Sequence, residues 1–141
     1  MKKLSTFGII VFILAFCTNT KKEVVDLTDT KIPLHADTLN VVKLTDTLII
    51  YESTCRGCAY ESSTHFDISD SLGIIKLLYV ETTDNNPPGI IGGNISKNLV
   101  LVPIKAGTTT IKLYKFWKPE QTAKDSARFT SYKIEVRNDK L

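Results

Sequence analysis

From Leu39 onward the chain is one short β-type segment after another, divided by polar turns, and no mature stretch repeats its apolar residues every three to four positions. That pattern constrains the fold more than any other feature. A chain without an amphipathic helix must bury its apolar residues between sheets. Asn40 to Leu44, Thr47 to Tyr51, Ala59 to Phe66, Ile74 to Thr82, Asn98 to Ile104, Thr109 to Phe116 and Phe129 to Val136 read as strands. In the last, Tyr132, Ile134 and Val136 alternate with Lys133, Glu135 and Arg137, the period-2 mark of a half-buried strand. Asn98 to Ile104 reads as buried on both faces, and Asp67 to Leu72 offers one helical turn at most. About seven short strands predict an all-β, antiparallel β-sandwich. Three connections are richer than a turn needs: Ser53 to Cys58, Asp84 to Lys97 and Trp117 to Ala127. Alternate connections of a sandwich tend to emerge at one end, so the three are expected to share a surface.

The first residues have a different character. Met1-Lys2-Lys3 is a short positive segment, and an uncharged, mostly apolar run follows from Leu4 to Phe16. The run is too short to span a bilayer and suits an export signal over residues 1–16. Leu14-Ala15-Phe16-Cys17 resembles a bacterial lipobox, with Phe16 where a small residue is usual. Cys17 is therefore the expected lipidation site, residues 17–37 the lipid-anchored tether, and 38–141 the folded domain. Within the tether, Ile32-Pro33-Leu34 is a candidate edge segment, because proline is tolerated at sheet edges. The expected location is the bacterial cell envelope, anchored by lipid at the periplasmic or surface face, or secreted if Cys17 is unmodified.

Charge excludes one class of partner. Of 18 Lys+Arg and 15 Asp+Glu, Lys2 and Lys3 fall in the signal, which leaves 16 against 15. A near-neutral domain whose longest basic run is Lys21-Lys22 has no footprint for nucleic acid. Two His and three Cys leave little for a metal centre, and no nucleophile–base spacing or phosphate loop stands out, so neither an enzyme nor a cofactor is expected.

The C-terminal half carries a resemblance. Val102-Pro103-Ile104-Lys105-Ala106-Gly107-Thr108, Leu113-Tyr114 and Asp125-Ser126-Ala127-Arg128-Phe129-Thr130 resemble the last strands of the chagasin-type inhibitors of papain-like cysteine peptidases. The resemblance covers roughly Leu39 to Val136 and implies an Ig-like sandwich whose three loops at one end form a wedge that fills the peptidase cleft. The family's first loop usually reads Asn-Pro-Thr-Thr-Gly, then an aromatic, Ala and Trp. Here Ser53-Thr54-Cys55-Arg56-Gly57-Cys58-Ala59-Tyr60 keeps Gly57, Ala59 and an aromatic. The second loop keeps a glycine pair, Gly92-Gly93, after Asn85-Asn86-Pro87-Pro88. The third usually carries Arg-Pro-Trp and here reads Phe116-Trp117-Lys118-Pro119. The implied peptidase-binding residues are Thr54, Cys55, Arg56, Gly57, Gly92, Gly93, Phe116, Trp117, Lys118 and Pro119. Cys55 to Gly57 would fill the cleft, Gly92-Gly93 would run along one side and Trp117 would pack against the other. The implied partner is a papain-like cysteine peptidase, met by a monomer and inhibited competitively without a covalent bond.

Each loop has a plainer reading. Glycines at positive φ and prolines for stiffness serve any connection. Trp117 is either an interface anchor or a plug over the open end of the core. The Cys55-x-x-Cys58 pair in an exported protein closes a small disulfide ring, contributing on the order of 2 kcal/mol by loop closure. A redox role needs a βαβ context, and zinc needs four ligands where only His65 is near. The competing function is a non-inhibitory Ig-like envelope lipoprotein that binds a protein or a glycan. The first-loop departures favour that competitor.

Overall fold

Alternation places one side of each strand against the opposite sheet, and the paired segments form two four-stranded layers. The computed structural model describes residues 30–90, 92–118, 120 and 128–138. Its strands are β1 (Ile32–Pro33), β2 (Leu39–Lys43), β3 (Leu48–Cys55), β4 (His65–Ser69), β5 (Ile75–Thr83), β6 (Asn94–Pro103), β7 (Gly107–Phe116) and β8 (Phe129–Arg137). One sheet has the order β1-β3-β6-β5 and the other β2-β8-β7-β4. There is no helix among the described residues. The architecture is the expected all-β sandwich, with eight strands once the short edge strand β1 is counted.

The sheets are mixed where a purely antiparallel sandwich was expected. β1 runs parallel to β3 and β2 parallel to β8, while the remaining pairs are antiparallel. The reason lies in the connections. β2 leaves for the second sheet between β1 and β3, so two reversals restore the direction before β3 pairs with β1. Asn40 holds this crossover. It accepts from the His35 backbone N–H and donates to the carbonyls of His35, Thr38 and Lys133. Leu34 is buried, so the segment Ile32-Pro33-Leu34 packs as part of the sandwich.

Leu48, Ile50, Leu99, Leu101, Ile111, Leu113, Tyr132, Ile134 and Val136 fill the space between the layers. Each fully buried Leu or Ile contributes about 1.5–3 kcal/mol by leaving water. Leu99, Val100 and Leu101 are all buried, which matches the reading of this segment as covered on both faces. Two local expectations are corrected. Ala59 to Phe66 is not one strand: residues 59–63 form turns, and β4 begins only at His65. The Tyr60 carbonyl accepts from the Thr64 N–H and the Thr64 hydroxyl, which satisfies it without a ladder partner. Asp67 then lies within β4, where Ile68 pairs with Leu113, instead of opening a helical turn.

Candidate functional site

The ladders carry all three rich loops to one end. Cys55 opposes Asn94 where β3 gives way to the first loop, Thr83 opposes Ser96 beside the second, and Tyr114 opposes Phe129 below the third. His65, at the return of the first loop, opposes Phe116 at the departure of the third. The surface is therefore built by strand register, with the first loop between the other two.

Cys55 and Cys58 are joined by a disulfide with their Cα atoms 5.8 Å apart. The ring holds Arg56 and the exposed Gly57, whose φ of +70° is the left-handed conformation glycine adopts at least cost. The Gly57 N–H donates to the Glu61 carboxylate, so the turn following the ring folds back onto it.

Arg56 clasps the first loop to the second. Its backbone N–H donates to the Gly93 carbonyl at 2.9 Å, and its guanidinium donates to the Ile90 carbonyl and pairs with Asp84 at 2.8 Å. Asp84 also accepts from the backbone N–H and the side-chain amide of Asn86. These hydrogen bonds, and after them the Arg56 charge, hold the Asp84 carboxyl below its usual range. The Asn86 amide reaches on to the Asn94 carbonyl. Gly92 and Gly93 both have φ of +89°. A Cβ on Gly93 would lie 2.8 Å from Asn86 Oδ1, whereas a Cβ on Gly92 would meet nothing within 4 Å. Gly93 thus lets Asn86 lie across the loop, while Gly92 is left open to a partner.

Trp117 joins the third loop to the first. Its ring stands edge-on to Tyr60 at 6.4 Å, its carbonyl accepts from the Ser63 hydroxyl at 2.6 Å, and the Lys115 ammonium lies 5.2 Å from its ring centre. Lys115 also pairs with Glu52 of β3 at 3.2 Å, tying the two sheets together at this end. An open cleft of about 450 Å³ is lined by Glu52, Leu113, Lys115, Trp117, Arg128, Phe129 and Thr130. It is the mouth of the space between the sheets.

The expected site residues divide by exposure. Gly57, Gly93, Trp117 and Lys118 are exposed, and Cys55, Arg56 and Gly92 are partly so. Thr54 is buried, with its hydroxyl unpartnered among the described residues, so its side chain is turned away from any partner. Phe116 is also buried, stacked on His65 at 5.1 Å and Tyr114 at 6.0 Å. Pro119, the residues around Cys17 and the rest of the signal and tether up to residue 29 lie outside the described residues. Asp84, Asn86, Glu61 and Ser63 complete the surface and were not among the binding residues expected from the sequence. The Asp84-Asn85-Asn86-Pro87 run carried the only available signal, since Asx residues before proline favour side-chain-closed turns. No group of His, Cys, Asp and Glu able to hold a metal occurs among the described residues.

No protein-family model matches the chain, and no curated protein matches it in sequence. Solved structures do match in fold, two of them as follows. The cysteine protease inhibitor EhICP2 from Entamoeba histolytica is 23% identical with a TM-score of 0.56, over 75% of this chain and 93% of that one. The solution structure of amebosin is 20% identical with a TM-score of 0.56, over 76% of this chain and 98% of that one. The sandwich therefore has a fold like those of EhICP2 and amebosin.

Proposed function

We propose that this chain is an exported, lipid-anchored inhibitor of papain-like cysteine peptidases that acts through the loop end of the sandwich. The observation that carries the reading is the linkage of three loops into one edge. Arg56 binds the first loop to the second, and Tyr60 and Ser63 bind it to Trp117. An edge ordered before contact loses less entropy on binding. The fold shared with a named cysteine protease inhibitor supports the same reading.

In this reading the Cys55–Cys58 ring enters the cleft with Gly57 foremost. Gly92 allows backbone to approach on one side, and Trp117 packs on the other. Substrate is excluded by occupancy. Cys17 carries the lipid that keeps the domain at the envelope, where a disulfide persists. The competing reading is an Ig-like envelope module that binds a protein or a glycan without inhibiting. It is favoured by one feature, the replacement of the family's Asn-Pro-Thr-Thr by Ser53-Thr54-Cys55-Arg56.

Titration of the exported protein into papain and a cathepsin-like enzyme separates the two. The expected outcome is stoichiometric, competitive loss of peptidase activity. A folded protein that leaves both enzymes fully active would support the non-inhibitory module.

A further inference from the structure

The disulfide occupies the centre of the proposed wedge. It joins Cys55, the last residue of β3, to Cys58 across the exposed Gly57, and both cysteines are partly accessible. A Cβ built on Gly57 meets nothing within 4 Å, so the space beside the ring is open. Arg56 and Glu61 hold the ring in place from either side. A papain-like peptidase presents a thiolate paired with an imidazolium. Thiolates attack disulfide sulfurs directly.

We propose that the Cys55–Cys58 disulfide is an electrophile for the peptidase's catalytic thiolate, so that docking leads to a reversible mixed disulfide. The inference rests on the inhibitory reading above and adds a covalent step to it. The thiolate attacks Cys58 Sγ. A sulfur–sulfur bond forms between the peptidase cysteine and Cys58, and the Cys55–Cys58 bond breaks. The electron pair of the broken bond leaves on Cys55 Sγ, which takes its proton from the peptidase's imidazolium. The peptidase sulfur and Cys58 end as a disulfide and Cys55 ends as a thiol, so no outside oxidant or reductant is consumed.

Cys58 lies beyond the strand, in the loop that meets the peptidase, and is the sulfur attacked; Cys55, in the ladder opposite Asn94, is the one that departs. Held three residues from Cys58, it stays within reach of the mixed disulfide. Once deprotonated it can expel the peptidase thiolate and restore the ring. The covalent state is thus a trap whose lifetime depends on how firmly the loops hold the peptidase. It also answers the surrounding redox conditions, because reductant opens both the trap and the ring.

The test mixes the exported protein with activated papain freed of reductant, followed by acid quenching and alkylation. The expected product is a one-to-one adduct with the summed mass, cleaved by dithiothreitol. It should carry the alkyl label on Cys55 and join Cys58 to the peptidase's catalytic cysteine. Papain blocked beforehand at that cysteine should give no adduct. After dilution, activity should return about tenfold more slowly without reductant than with it. The Cys55→Ser/Cys58→Ser double variant, with folding verified by its thermal transition, should form no adduct, and the inhibition left to it after loss of the ring should recover at one rate in both conditions.

Inhibition by the wild type with no adduct and no effect of reductant would overturn the covalent step and leave the inhibitory reading standing. Absence of both inhibition and adduct would overturn the two together. An adduct that forms equally fast with Trp117→Ala would mark undirected thiol exchange and would also overturn the proposal.

Discussion

The two ends of the sandwich are tied in different ways. At the turn end, one carboxylate closes the structure from within. Asp70 accepts from the Thr109 hydroxyl at 2.7 Å and from the backbone N–H groups of Leu72 at 3.0 Å, Ile74 at 2.6 Å and Ile75 at 2.8 Å. Thr109 and both isoleucines are buried, so these bonds lock the β4–β5 turn onto β7. At the loop end, Arg56, Asp84, Ser63 and Trp117 link one loop to another beside water. Exposed ion pairs contribute little to stability but still fix where a loop lies. One fold thus separates its tasks: part-buried hydrogen bonds to Asp70 at one end hold the sheets, and exposed ones at the other hold a shape.

The comparison breaks most readily at Asp70. Asp70→Ala leaves a buried hydroxyl and backbone donors without their acceptor and is expected to cost about 3 kcal/mol. For a domain of this size that is a fall of about 15 °C in melting temperature, with inhibition per folded molecule unchanged. Weakened inhibition at normal stability would show that the ends are coupled. Acid sharpens the point. Burial would raise the Asp70 carboxyl, but the hydrogen bonds from Thr109, Ile75, Ile74 and Leu72 outweigh it and hold the group below its ordinary range. A depressed folded value means the contribution is complete above the unfolded pKa of about 4 and drains away as pH falls through the folded one. Asp70→Asn should flatten that acid limb of stability, measured by denaturant titration at several pH values.

Trp117→Ala is the converse experiment. Its side chain is 41% exposed, so the melting temperature should stay within about 5 °C of the wild type. Inhibition should weaken by roughly 30-fold, about 2 kcal/mol, if Trp117 anchors the interface. A large loss of stability would make it a plug.

Arg56→Ala should show the smallest effect. Loss of the clasp frees the first loop from the second, and inhibition constants should rise by about fivefold through the cost of reordering. Stability should stay close to that of the wild type, because the Arg56–Asp84 pair is partly open to solvent. Equal inhibition by the variant would show that the clasp does not preorganise the edge.

Much of the sandwich was legible in the chain. The alternation in Phe129 to Val136 and the continuous apolar run in Asn98 to Ile104 report directly on which faces are covered, because burial acts residue by residue. Strand direction was not legible, since the same alternation serves parallel and antiparallel partners. The aromatic pair shows where pattern and environment separate. Parity puts Trp117 on the side of Ile111 and Leu113, and the structure keeps that parity, with Leu113, Lys115 and Trp117 lining one cleft. Yet at Trp117 the core has ended, so the inward side is open. Phe116, on the opposite side of β7, is 3% exposed because His65 and Tyr114 close over it.

The all-β class, the strands with strong alternation, the three loops able to form a surface and the glycines that let those loops turn are all written in the order of residues along the chain. These properties are local, set by side-chain period, chain length and backbone freedom. Tertiary structure alone decided that Asp70 would meet Thr109, that Arg56 would reach Asp84 and Ile90, and that Ser63 would bind the Trp117 carbonyl. Those partners stand 28 to 54 positions apart, and only strand register brings them within hydrogen-bond distance. A hydrogen bond between such residues is a property of the packed sheets, because no stretch of either segment carries a trace of the other.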